Sequence, residues 1–196
     1  MPTPLRHAAA LLALAVAPLA AQSHPQVREG LTVSVGFGAG SAKFTCDVCG
    51  TERQTEPTAY FRIGKAYRPN LVLAWEINAW TRTIQDGPEE FSLSLGTGNM
   101  LVQWYPRPTS GLFVSAGAGG GGAILDEKSP TPANRLHDES WGFGYQVGTG
   151  YDLRLGRNFS VTPFATYFAT AGAKFEGTGI QLDGRVLHVG VGATWH

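Results

Sequence analysis

Between Trp141 and Leu155 the chain alternates with a period of two. Trp141, Phe143, Tyr145, Val147, Tyr151, Leu153 and Leu155 share one parity, and Gly142, Gly144, Gln146, Gly148, Gly150 and Asp152 share the other. A two-residue period puts these sets on opposite faces of a β-strand. A soluble strand shows water a face rich in Lys, Glu and Arg, whereas the second face here is mostly glycine. The pattern predicts a narrow barrel with small residues inside and large residues turned outward, an arrangement that only lipid tolerates.

The same alternation predicts eight strands, over 30–41, 57–66, 70–83, 90–105, 111–124, 140–154, 158–172 and 184–195. Leu31, Val33, Val35, Phe37 and Ala39 alternate with Thr32, Ser34, Gly36, Gly38 and Gly40. Near the C-terminus Leu187, Val189, Val191 and Trp195 alternate with His188, Gly190, Gly192 and Thr194. The fourth, fifth and seventh segments are ambiguous. Phe91, Leu93 and Leu95 share one parity but Met100, Val102 and Trp104 share the other, so either a bulge lies near Gly96 to Asn99 or large residues pack inward. The run Gly119 to Gly122 reads as a bulge or a kink in the wall.

Connection lengths predict an orientation. Residues 67–70, 106–110 and 156–158 are short and built from Pro, Gly and Asn, whereas 42–56, 84–89, 125–139 and 173–183 are longer and hold most of the acidic residues. Short turns on a periplasmic rim and four long loops on an extracellular rim is the outer-membrane arrangement.

Composition agrees. Only 15% of the 196 residues are charged, with 15 basic and 15 acidic side chains, so no charge surplus points to nucleic acid. Residues 1–21 carry Arg6 and His7 and then an apolar run ending on Ala20 and Ala21. That run is shorter than the roughly 20 residues of a spanning helix and reads as a secretory signal peptide cleaved after Ala21. Residues 22–196 are then a single barrel domain. Of the strand-interior charges Arg62, Lys65, Glu76, Asp152 and Arg154, all but Lys65 fall on the inward parity. Lys65 lies near a turn, where its amine reaches the headgroups.

The signal peptide, the eight alternating strands, the unequal connections, Tyr105 and Tyr151 near the periplasmic edge and the last strand VLHVGVGATWH together resemble the OmpA/OmpX-like small outer-membrane β-barrel family. The resemblance spans about 22–196. It implies an all-β, eight-stranded antiparallel up-and-down transmembrane barrel in the cell outer membrane of a Gram-negative-type envelope, inserted by the barrel assembly machinery, surrounded by membrane lipid and monomeric. The family usually ends on a terminal aromatic residue; here Trp195 is penultimate and His196 terminal.

Candidate chemistry is sparse. Cys46 and Cys49 are expected to close a small disulfide in an exported loop. A zinc site would have to recruit His137, Asp138 and Glu139 from another loop. Turn-paired strands place Arg62 opposite Glu76 as a lumenal charge pair, with Asn78, Gln146, Asp152 and His188 as further lumenal polar residues. A lipid-modifying barrel enzyme would require His188 to meet a serine such as Ser160 or Ser94 at the membrane interface, and no motif surrounds them. The expected function is structural or surface-interacting, with no catalysis, cofactor or metal. The rivals are the lipid-modifying enzyme and a soluble lipocalin-like barrel, which would carry its large residues inside.

Overall fold

The computed structural model describes residues 26, 28–46, 52–87, 89–128, 136–177 and 179–196. The segment expected as a signal peptide, and Cys49, lie outside them. Strands β1 (Gly30–Thr45), β2 (Gln54–Arg68), β3 (Leu71–Asp86), β4 (Glu89–Trp104), β5 (Leu112–Lys128) and β6 (Leu136–Tyr151) follow in order, then β7 (Leu153–Arg154), β8 (Phe159–Phe175) and β9 (Gln181–Trp195). β6 and β7 are one strand interrupted at Asp152, whose N–H still reaches the Gly111 carbonyl at 2.9 Å. Each strand pairs antiparallel with its chain neighbour, and β1 pairs with β9, so eight strands close on themselves. Closure leaves no edge with unpaired backbone groups, which is what allows a sheet to sit in hydrocarbon.

The outer surface is apolar. Phe37, Trp141 and Met100 are each about two-thirds exposed, and Leu31, Phe143, Val147, Val189 and Val191 are more than half exposed. A soluble lipocalin-like barrel would bury these positions, so that rival is excluded.

The interior holds more bulk than the glycine-rich faces suggest. Tyr60, Trp80, Tyr105, Phe113, Phe164 and Phe168 are buried inside, which corrects the expectation that large residues all face outward. Tyr105, expected at the periplasmic edge as in related barrels, also points inward. The glycines on opposing strands make the room. A Cβ on Gly36 would lie 2.2 Å from the Tyr60 ring, and one on Gly150 would lie 2.5 Å from the Phe113 ring. Small positions on some strands are thus the sockets for aromatic residues on others.

Of the three ambiguous segments, the fourth and fifth are regular. β4 and β5 pair without a register shift from Glu90↔Lys128 to Trp104↔Val114, so Leu95 and Leu101 are packed inward with Thr97 and Asn99. The seventh holds a bulge, in β8, where register slips by one residue against both neighbours around Gly172. Gly172 has φ of 68°, a left-handed conformation suited to the first position of a glycine bulge.

Connection lengths depart from expectation too. The expected loop at 84–89 is strand as far as Asp86 and strand again from Glu89, while residues 105–111 on the other rim form one of the longer connections. The ladder continues after the apolar pattern stops, because backbone pairing needs no apolar side chain. Above the lipid-facing band Thr81 and Ser94 hydroxyls meet at 3.1 Å across β3 and β4. The asymmetry between rims is therefore one of strand extension, and the rim opposite the termini is here called distal.

Socket and aromatic should be inseparable. Gly36→Ala is expected to lower unfolding stability in urea by about 1–3 kcal/mol through overpacking against Tyr60. Gly120→Ala, whose added Cβ meets nothing within 4 Å, should change it by less than about 0.5 kcal/mol.

Candidate functional site

Inward-facing polar residues concentrate in the middle of the lumen. The β2–β3 register sets Tyr60 opposite Asn78, Arg62 opposite Glu76 and Gly64 opposite Ala74. Arg62 donates its Nε–H to Glu76 Oε2, and its Nη1 donates to Gln103 Oε1 at 3.0 Å. Both members of the pair are buried. Glu76 Oε1 also accepts from Asn78 Nδ2 at 3.1 Å and from Gln146 Nε2 at 2.8 Å. Gln146 Oε1 in turn accepts from Asn78 at 2.7 Å and Asn99 at 2.9 Å. β3 and β6 lie on different walls, so Glu76, Asn78 and Gln146 join them across the lumen rather than along the sheet.

The network runs on toward the terminal rim. Gln103 Nε2 donates to Tyr105 Oη at 2.6 Å, and the Tyr105 hydroxyl donates to Asp152 Oδ2 at 2.7 Å. Thr162 donates to Asp152 Oδ1 at 2.8 Å, and Thr194 links Thr162 to Ser34. The break in β6 at Asp152 turns this carboxylate into the lumen between Tyr105 and Thr162.

The terminal mouth is closed by the segment before β1. Arg28 is buried with its guanidinium 3.4 Å from the Tyr105 ring centroid. It donates to the carbonyls of Pro108 at 2.9 Å and Ser110 at 2.7 Å. Gln26 accepts from Arg28 and donates to the Asp152 carbonyl, each at 3.0 Å. Desolvation would penalise such a cation heavily, and the aromatic face, the two carbonyls and Asp152, 4.0 Å away, offset it. At the distal end the lumen is apolar, filled by Phe44, Trp80, Leu95, Phe168, Leu182 and Val186.

The other expected residues fall as follows. His188 is buried with its ring edge-on to Phe164 at 4.7 Å, and neither ring nitrogen has a hydrogen-bond partner. It meets neither candidate serine: Ser160 is bonded to His196 at 3.0 Å, and Ser94 lies outside against Thr81. Cys46 is disulfide-bonded. Asp138, expected in a loop, is buried and accepts the Gly177 N–H, while His137 bonds Asp126 at 2.6 Å and Glu139 at 3.0 Å on the exposed distal rim. Among the described residues no cluster of His, Cys, Asp and Glu is arranged to hold a metal. Asn99 and Gln103 were legible once the parity of β4 was settled, and Thr194 already stood on the small face of the last strand; Arg28 and Gln26 carried no signal, since they precede the first strand.

No family model and no curated protein matches the sequence. Among solved structures the barrel is similar to Ail, the attachment invasion locus protein of Yersinia pestis, with TM-score 0.56 at 10% identity over 84% of this chain and 99% of that one. A structure of Ail in complex with the heparin analogue sucrose octasulfate gives TM-score 0.53 at 12% identity, covering 84% and 99%. Neisserial surface protein A gives TM-score 0.53 at 14% identity, covering 85% and 97%. The chain has the fold of the small eight-stranded outer-membrane β-barrels of the OmpA/OmpX-like kind.

Removing one member of the buried pair leaves the other charge uncompensated. Glu76→Gln is expected to cost on the order of 3–5 kcal/mol in equilibrium unfolding. Adding Arg62→Gln should recover part of that loss, and additive effects in the double variant would show that the two side chains act independently.

On the distal rim, hydrogen bonds to Asp126 and then to Glu139 raise the His137 pKa above its ordinary value. These bonds favour the charged ring, so their contribution is complete below the unfolded pKa and lost as pH rises through the folded one. Titration of His137 by NMR should give a midpoint above 6.5, falling toward 6.5 in Asp126→Asn.

Proposed function

We propose that this chain is an integral outer-membrane barrel with a structural and surface-contact role and no catalysis. The observation that carries the reading is the filled lumen. An eight-stranded barrel has an interior just wide enough for side chains, and here an apolar layer, a cross-wall polar network and the Arg28 seal succeed one another along it. Such a core favours a rigid support over a general pore. The lipid-modifying alternative loses its proposed machinery, because His188 stands among aromatic rings and Ser160 is buried beside His196.

Surface contact is the role left to the distal rim, where the strands run on beyond the apolar band and carry Asp126, His137 and Glu139 into solvent. Ail is named for attachment and invasion and the Neisserial protein for the surface; these names favour the same assignment by fold-level analogy alone. In this reading the terminal rim is periplasmic, the signal peptide has delivered residues 22–196 across the inner membrane, and the assembly machinery inserts the barrel as a monomer with β9 as its last strand.

The protein should fractionate with the outer membrane and migrate differently on gels before and after heating. An epitope inserted at Gly179 is expected to be labelled on intact cells, and one at Arg107 only after the outer membrane is opened. Labelling of Arg107 on unbroken cells would reverse the orientation.

A further inference from the structure

The lipid-facing surface ends in a cationic patch on one side of the barrel. On β9 the outward positions Trp195, Ala193, Val191, Val189 and Leu187 give way to Arg185, and on β1 the outward run from Leu31 to Ala39 ends at Ser41 and Lys43. A tilted strand crosses the hydrocarbon in about 9–11 residues. Arg185 and Lys43 therefore stand where the strands leave the distal side of the lipid.

The register makes them direct neighbours. Lys43 pairs with Arg185 across β1 and β9, and both side chains are exposed while Ala42, Phe44, Gly184 and Val186 beside them are buried. Gln54 pairs with Ala42, which sets the exposed Arg53 next to Lys43 on the other flank. Like charges directly opposite one another in a sheet are destabilising. Among the described residues no carboxylate lies within ion-pair distance of any of the three cations. The nearest acid along the strand, Asp183, stands opposite Thr45 and accepts the Gly172 N–H at 2.8 Å.

We propose that Lys43, Arg53 and Arg185 form a docking site for the phosphorylated headgroup of an outer-leaflet lipid. Three cations at the hydrocarbon boundary, Lys43 and Arg185 opposite one another in the β1–β9 ladder and Arg53 just before β2, match an anion anchored at that depth by its acyl chains. The apolar faces of β1 and β9 below them supply the surface those chains would lie on. A phosphate between Lys43 and Arg185 turns a like-charge repulsion into two charge-assisted contacts, the guanidinium offering paired donors. The patch rests on the outer-membrane assignment, which fractionation tests separately.

The folded protein in zwitterionic micelles is titrated with lipid A carrying both phosphates, and binding is followed by native mass spectrometry. Each cation near a membrane surface contributes about fivefold in affinity. Lys43→Gln, Arg53→Gln and Arg185→Gln together should therefore weaken binding about a hundredfold, and Arg185→Gln alone about fivefold should the triple variant lose its heat-modifiable folded band. Lys65→Gln, exposed near the opposite rim, should bind as the wild type does. Dephosphorylated lipid A is expected to bind far more weakly, and millimolar inorganic phosphate should not displace the lipid. Equal affinity in wild type and variants, equal affinity for the dephosphorylated lipid, or displacement by free phosphate would each overturn the site. A barrel that reaches the outer membrane but shows any of these would lose only this assignment.

Discussion

Closure of the sheet is the constraint on which everything else depends. A strand in hydrocarbon must have every backbone N–H and C=O paired, and the β1–β9 ladder from Val33↔Trp195 to Thr45↔Asp183 supplies the last set of bonds. Closing at eight strands fixes the bore, and the bore fixes what the inward positions can be. They cannot all be large, so glycine recurs at Gly36, Gly150 and Gly192; nor can they all be small, because an empty lumen would forfeit the contacts that hold opposite walls together. The Tyr60 ring between Gly36 and Gly192 satisfies both conditions at once.

The polar middle of the lumen follows from the same geometry. Hydrophobic burial gives little net drive toward assembly when the outside of the barrel is as apolar as the lipid around it, so specificity must come from groups that lipid cannot satisfy. Glu76 is bound by Arg62 from β2, Gln146 from β6 and Asn78 on its own strand, and each of those residues has a further partner. A slip of one residue anywhere in β2, β3 or β6 would turn these groups outward into hydrocarbon. The network is thus a register lock, and its position at mid-depth is where a misplaced charge is most costly.

Strand existence, parity and the inward placement of Arg62, Glu76, Asn78, Gln146, Asp152 and His188 were legible because alternation is a local property. What was hidden depended on more than one strand. The inward Leu95 and Leu101 of β4 look like a parity error until Gly184 is seen to provide the socket for Leu95. The β8 bulge at Gly172 looks like continuous strand in a run of small residues. Loop boundaries misled for a different reason: hydrophobicity reports where lipid ends, and the Thr81–Ser94 and Thr83–Ser92 pairs show the ladder continuing past it.

Arg28 shows why the terminal mouth needs a seal of its own. The network ends at Asp152, a carboxylate at the edge of the lumen that already accepts from Tyr105 and Thr162. Bringing a guanidinium against it from outside the sheet balances that charge without adding a strand. The Tyr105 ring receives the cation on its face while its hydroxyl holds the carboxylate, so one side chain orients both ions. Because Arg28 spends its Nη donors on the Pro108 and Ser110 carbonyls, the seal also pins the residues 105–111 connection. Gln26 and Arg28, which precede the first strand, are therefore part of the barrel's core, and removing them would expose the acidic end of the lumen to water.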